Sequence, residues 1–172
     1  MTITTRRLQP ADSQAYRKIR LACLAEYPTS FGSSYEEESQ FDKLNFENLI
    51  EAKAENAFVI GAFAEDELVG ICAFVQENRA KTKHQGALRQ VCVKPGYVNK
   101  GIGRSLVQTA IQQAFTGTDV EIILLSVVAD NAAANRLYES LGFREYGRLE
   151  NYLRVNGRSL AERFMVLKRP IN

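Results

Sequence analysis

The sequence has no surplus of charge, no long apolar run and few metal-binding side chains, and each shortage narrows what the protein can do. Lysine and arginine number 22 against 20 aspartates and glutamates, a formal charge of +2. That near-neutrality disfavours a nucleic-acid partner, and none is expected. No stretch approaches the roughly 18 apolar residues that a membrane span needs, so no membrane partner is expected either. The start, Met1-Thr2-Ile3-Thr4-Thr5-Arg6-Arg7, carries no apolar run of signal-peptide type. The single histidine, His84, lies in the polar stretch Lys81-Thr82-Lys83-His84-Gln85 and reads as a loop residue rather than a catalyst. Cys23, Cys72 and Cys92 are odd in number, without CxxC or Cys/His spacing. They read as buried thiols of a reducing compartment, not as a disulfide framework or a zinc site. A cytoplasmic protein without a metal is the expectation.

At 172 residues, 45% of them hydrophobic and 24% charged, the chain suits one globular domain spanning 1–172. Ile3 to Leu8 alternates like a short strand. Pro10-Ala11-Asp12 opens a helix on which Tyr16, Ile19 and Cys23 recur at helical spacing. Tyr27 to Ser34 is a loop, and a second, more polar helix is predicted from Tyr35 towards Ala54, with Phe41, Leu44 and Leu49 on its buried side. Ala57–Ala64 and Leu68–Val75 are apolar runs joined by Glu65-Asp66-Glu67, as in a hairpin. Leu88–Val93 is a third such run. From Gly101 the period changes, and Ile102, Leu106, Val107, Ala110, Ile111 and Ala114 mark one helix face. Glu121–Val128 reads as a central strand, Asn131–Leu141 as a short helix stopped by Gly142, and the rest as two strands around Asn156-Gly157, a favoured hairpin turn. The order is that of a mixed α/β domain.

Chemistry concentrates between Val91 and Arg104. A strand ends near Pro95, a loop follows, and a helix starts at or just before Gly101. Unpaired amides at a helix start, with the positive end of its dipole, form a ready anion site, and glycines admit a phosphate without Cβ clashes. From Arg79 to Arg104 the chain has no Asp or Glu but seven Lys and Arg. A Walker loop would place Lys and Ser/Thr after the second glycine, whereas Lys100 precedes Gly101. A dinucleotide fingerprint needs a third glycine where Leu106 stands. The Gly-x-Gly alone could equally mark a turn. A second segment adds weight: Asn131-Ala132-Ala133-Ala134-Asn135-Arg136-Leu137-Tyr138-Glu139-Ser140-Leu141-Gly142-Phe143 follows a buried strand and ends on Gly-Phe.

Together with Val93-x-Pro95 and Gly101-x-Gly103, that segment resembles the GNAT superfamily of acetyl-CoA-dependent N-acetyltransferases. The resemblance is specific from about Leu88 to Phe143, looser to Met165, and before Leu88 rests on element order alone. It implies a central, mostly antiparallel mixed sheet, splayed between its two middle strands and flanked by about four helices. The gap is expected between the Leu88–Val93 and Ile122–Val127 strands. It implies acetyl-CoA as cosubstrate, an amine acceptor as the second partner, and direct attack in a ternary complex, with a homodimer left open. The backbone of Val91, Cys92 and Val93 would pair with the pantetheine arm. Val98, Asn99, Lys100, Gly101, Ile102, Gly103 and Arg104 would form the pyrophosphate loop. Asn131 would contact the cofactor arm, and Tyr138 would protonate the departing thiolate. Plainer readings stand beside these: Asn131 as a helix cap, Tyr138 as a core aromatic, Cys92 as a small core residue. Val98 departs from the family, which usually has Arg or Gln there, so side-chain contact to phosphate falls to Lys100 or Arg104.

No general base is evident. Arg89, Gln90 and Ser126 occupy the strand positions where relatives place a carboxylate, which favours a water chain near Gln90 or Ser126, or an amine arriving neutral. The acceptor would enter beside the first two helices and the last hairpin, where Tyr27, Phe31, Tyr35 and Tyr152 could line a pocket. Glu36-Glu37-Glu38 could attract a cation there, but reads better as a solvated helix start. Lack of a base keeps a noncatalytic acyl-CoA sensor of the same fold as the alternative.

Overall fold

Strand pairing sets the frame of this computed structural model, which describes residues 2–171. Seven strands form one sheet: β1 (Ile3–Arg7), β2 (Ala57–Ala64), β3 (Glu67–Gln76), β4 (Gln85–Val93), β5 (Ile122–Val128), β6 (Arg144–Val155) and β7 (Arg158–Lys168). Their order is β1-β2-β3-β4-β5-β7-β6, antiparallel throughout except for the parallel pair β4–β5. The β2–β3 and β6–β7 hairpins fall where the turn residues place them. Asn156 and Gly157 both have positive φ, 50° and 77°, as a tight primed turn requires. Five helices cover the sheet: α1 (Ser13–Glu26), α2 (Tyr35–Glu38), α3 (Asn45–Glu51), α4 (Ile102–Gly117) and α5 (Ala132–Ser140).

The continuous apolar character of β2 now has its cause. Every residue of β2 is buried, because the sheet is covered on both faces. Phe58, Ile60, Val69, Cys72 and Phe74 pack with Leu106, Val107 and Ala110 of α4 on one side. Val59, Phe63, Ile71 and Ala73 pack with Tyr16, Ile19 and Cys23 of α1 and Phe46 and Ile50 of α3 on the other.

Two expectations need correction. The predicted helix from Tyr35 to Ala54 is two short helices, α2 and α3. Between them Arg17 receives the chain, donating to the Phe41 carbonyl at 2.7 Å and pairing with Glu47 at 2.8 Å. This turn buries Leu44 and Phe46, while Phe41 stays 53% exposed, not on a buried helix side. The cysteines are also not three free thiols. Cys23 of α1 and Cys92 of β4 are joined as a disulfide, leaving Cys72 as the buried free thiol. The pair lies 69 positions apart in sequence, so no local spacing could announce it; packing of α1 on β4 brings the two together.

Candidate functional site

The site is made by a strand pair that stops pairing. β4 and β5 are bonded only at Gln85–Ala87 and Ile122–Leu124, and diverge beyond. On its other edge β4 pairs with β3 as far as Val93. From Leu88 onward, therefore, the β4 edge facing β5 is left without strand partners. Backbone groups left so must find water or a ligand, and an extended amide-bearing arm can take the place of the missing strand.

A cavity of about 550 Å³ occupies the opening. Val91, Cys92 and Val93 of β4 form one wall, and Val128, Asp130, Asn131 and Leu137 form the other. Val98, Asn99, Gly101, Ile102, Gly103 and Arg104 close one end. In that loop Asn99 (φ 61°) and Gly101 (φ 76°) are left-handed, and Gly101 is the N-cap of α4 with no side-chain cap. The first amides of α4 are thus left to a ligand or water, and a Cβ at Gly101 would meet open space but an unfavourable φ. Val98 is 44% exposed at this rim. Arg104 also lines the cavity, its guanidinium donating to Ser140 Oγ at 2.8 Å. Lys100 does not line it: its Nζ sits over the Tyr97 ring, 5.2 Å from the centroid. Asn131 both lines the cavity and caps α5, accepting from the Ala134 amide at 3.2 Å.

A second cavity, about 490 Å³, lies along the same strands nearer their pairing point. Leu88, Arg89 and Gln90 of β4, Ser126 of β5 and Glu162 and Phe164 of β7 line it, with Tyr146 and Tyr152 of β6 and Arg20 of α1. Ser30 and Phe31 line both cavities, and Gln90 in one is followed by Val91 in the other. At this junction β4 carries an irregularity. Its register with β3 shifts between Ile71 and Ala73, and Gln90 has a positive φ of 56°. Tyr16 holds the Gln90 side chain, donating to its Oε1 at 2.7 Å. Tyr27 reaches the same strand, donating to the Val93 carbonyl at 3.2 Å.

Residues 20–143 match the Acetyltransferase (GNAT) family. The chain belongs to that family. Over 128 residues it is 31% identical to spermidine N(1)-acetyltransferase of Vibrio cholerae, covering 74% of this chain and 71% of the relative. It is 33% identical over 98 residues to N-alpha-acetyltransferase RimI of Mycobacterium tuberculosis, spanning 57% of this chain and 59% of that one. Among solved structures, yncA of Salmonella typhimurium, determined with its cofactor acetyl-CoA, superimposes with a TM-score of 0.85 at 22% identity, covering 100% of this chain and 96% of that one. The protein is an acetyl-CoA-dependent N-acetyltransferase, and no group of three or more His, Cys, Asp or Glu among its described residues could hold a metal ion.

Within this acetyltransferase, Tyr138 lies apart from the other expected residues. It is 7% exposed, packs edge-on to Phe143 at 5.9 Å, and lines neither cavity. Burial raises its pKa, with the Cys72 thiol adding to the effect. Cys72 itself is pushed up to about 12 by burial. Because Ile71 faces Cys92 and Ala73 faces Arg89, Cys72 lies beside the Gln90–Val91 irregularity. Tyr138 is therefore behind the junction, on the α5 side of the sheet. Of the expected acceptor residues, Tyr27 and Phe31 line the first cavity and Phe31 and Tyr152 the second, whereas Tyr35 is 43% exposed and lines neither. The acidic run serves structure: Glu38 takes Arg20 at 2.7 and 3.0 Å, and Glu36 and Glu37 sit in the first turn of α2. His84 is half-buried in the turn before β4 and lines neither cavity.

Two buried polar residues went unread in the sequence. Asn135 donates to the carbonyls of Val128, Ala129 and Asn131, pinning α5 to the end of β5. Glu162 is 7% exposed, its Oε2 has no hydrogen-bond partner, and burial raises its pKa, partly offset by Ser126. Its signal was a carboxylate between Leu160 and Phe164 at the inward positions of an alternating strand.

Proposed function

We propose that this acetyltransferase moves the acetyl group of acetyl-CoA to a primary amine of a small molecule or peptide, by direct attack in a ternary complex. The observation that carries the reading is the pair of cavities meeting end to end at Gln90 and Val91. One has the features a CoA arm needs and the other leaves room for an acceptor. The free β4 edge at Val91, Cys92 and Val93 would pair with the pantetheine amides. The uncapped α4 start, with the amides from Asn99 to Arg104, would meet the pyrophosphate, and Arg104 is the cation on hand since Lys100 is turned to Tyr97. Asn131 would bond the arm while capping α5. When bound, acetyl-CoA supplies an activated thioester carbonyl.

The chain's own residues then orient the amine, exclude water and move protons. Tyr138, held in its protonated form by burial, would donate to the leaving thiolate across the Gln90–Val91 junction behind which it lies, and does not line the cavity itself. The relatives named for spermidine and for a protein N-terminal amine share a primary amine as the reacting group, which supports that acceptor class. A noncatalytic sensor needs no second cavity. The test is thiol release from acetyl-CoA with a panel of spermidine, alanine-initiated peptides, amino acids and arylalkylamines. Turnover of any one amine supports the transferase, and silence across the panel with acetyl-CoA bound supports the sensor.

A further inference from the structure

We propose that Glu162 is the acceptor-amine site of this enzyme: the substrate's primary ammonium docks between the Glu162 carboxylate and the aromatic wall of Tyr146, Phe164 and Tyr152, and Glu162 takes its proton. The inference rests on the transferase reading and deepens it.

Strand geometry places Glu162 at the junction of the two cavities. Side chains two apart on a strand share a face. Along β7, Arg158 and Leu160 line the cofactor cavity, then Glu162 and Phe164 line the second. The intervening Arg163 points the other way, to Asn135 and Glu139 of α5 and to Glu145. β5 repeats the pattern: Val128, opposite Glu162, lines the first cavity and Ser126, opposite Phe164, the second. The carboxylate thus sits where an acceptor would meet the acyl group.

Ser126 faces the Glu162 carboxylate, but nothing among the described residues satisfies its second oxygen. Buried polar groups are almost always hydrogen-bonded, and an unpartnered one calls for an explanation. Glu162 has a buried Oε2 without a partner and makes no ion pair among the described residues. The nearby charges are otherwise engaged or exposed. Arg20 lines the same cavity but gives its Nε and Nη2 to Glu38 and lies over Phe31, 5.1 Å from its centroid. Its buried Nη1 has no partner among the described residues and makes no ion pair with Glu162. On β6, Arg148 and Glu150 flank Leu149, the residue opposite Glu162, and pair with each other at 2.5 Å. Arg89 and Glu77 are exposed at the cavity.

A second feature also suits a cation. Phe164 is flanked by Tyr152, edge-on at 5.7 Å, and by Tyr146 at 6.3 Å. Aromatic faces attract ammonium groups, and Tyr146 and Tyr152, 57% and 45% exposed, present theirs on the solvent side of the cavity. Aromatic rings and an unpaired carboxylate in one cavity recognise an ammonium attached to an apolar or aromatic body. Such an amine arrives protonated at neutral pH and cannot attack until it loses a proton. Glu162 accepts that proton. The freed lone pair forms the C–N bond to the thioester carbonyl, and the C–S bond breaks as the nitrogen loses its second proton. One of the two protons neutralises the thiolate and the other leaves Glu162 for solvent.

The test has two arms on the full chain. In the first, the Glu162 carboxyl carbon is followed by NMR in ¹³C-glutamate-labelled, CoA-loaded protein, assigned by its loss in Glu162→Gln. Phenethylammonium is the probe and needs no turnover. The expected result is a carboxyl that titrates above the ordinary range and shifts on adding probe; a carboxyl indifferent to the probe overturns the proposal. In the second, thiol release is measured from pH 6 to 10 with the best amine of the panel. Glu162→Gln is expected to lower kcat/KM for the amine by about 100-fold and to abolish the acidic limb of the pH profile. The KM for acetyl-CoA should be unchanged. Equal kcat/KM at every pH overturns the proposal. If wild-type protein turns over no amine, the transferase reading fails and the first arm still judges Glu162 as an amine site.

Discussion

Tyr138 and Glu162 are both buried ionisable groups whose pKa is raised, yet burial has opposite consequences for them. A phenol is neutral at pH 7 to begin with, so burial costs little and keeps the proton in place until negative charge develops nearby. Tyr138→Phe is expected to lower kcat by on the order of 10²-fold with acetyl-CoA affinity unchanged. Steady-state kinetics beside titration calorimetry checks this, and an unchanged kcat with chemistry limiting would leave Tyr138 as packing. For Glu162, burial opposes the charged form. Between the ordinary carboxylate value and the raised one, the folded state binds more protons than the unfolded chain, so stability falls as pH rises through that window. Glu162→Gln should therefore melt above wild type at pH 8, and the difference should vanish below about pH 4, where both side chains are neutral. Melting curves at several pH values decide it; a variant less stable at pH 8 would reveal a hidden partner for the carboxylate. Together the two outcomes for Glu162→Gln, better stability and worse turnover, would mark a residue kept for function.

Among the elements, α1 and β4 are the pair whose joining matters most for the site. β4 carries the free edge, and α1 supplies Tyr16 to Gln90 and Cys23 to Cys92. The disulfide closes a loop across 69 positions; chain-entropy reasoning gives about 4 kcal/mol for a loop of that size. Guanidinium unfolding with and without dithiothreitol should differ by that order. Thiol titration of unfolded, unreduced protein should find Cys72 alone, and a titre of three thiols would remove the bond. The loop before α4 was legible because Gly101 is forced by its own backbone, at φ 76°. The break between α2 and α3 was not, because Arg17, far away in sequence, draws the chain round.

For the whole molecule, the divided sheet decides what binds where. Covering both faces with helices leaves the β4–β5 opening as the way into its middle, and a ligand seated there touches both halves. Acetyl-CoA binding only the native state at 100 times its Kd would add about 2.7 kcal/mol. For a domain of this size that corresponds to a rise in melting temperature of roughly 5–10 °C. No shift at saturating acetyl-CoA would contradict the assignment of the first cavity to the cofactor.

Local sequence was enough for the strands, the hairpin at Asn156-Gly157, the helix start at Gly101 and the family motif from Leu88 to Phe143. Each depends on side-chain alternation, turn chemistry or backbone conformation, which are local. Packing settled the Cys23–Cys92 bond, the stacking of Lys100 on Tyr97 rather than in the cavity, the place of Tyr138 outside both cavities and the unpartnered oxygen of Glu162. The bond depends on α1 packing on β4, Lys100 on how its loop folds onto Tyr97, and Tyr138 and Glu162 on what surrounds them in the fold. A carboxylate in an alternating strand is ordinary until β5, β6 and β7 close round it and leave one of its oxygens without a partner, and that is a property of packing that no window of sequence contains.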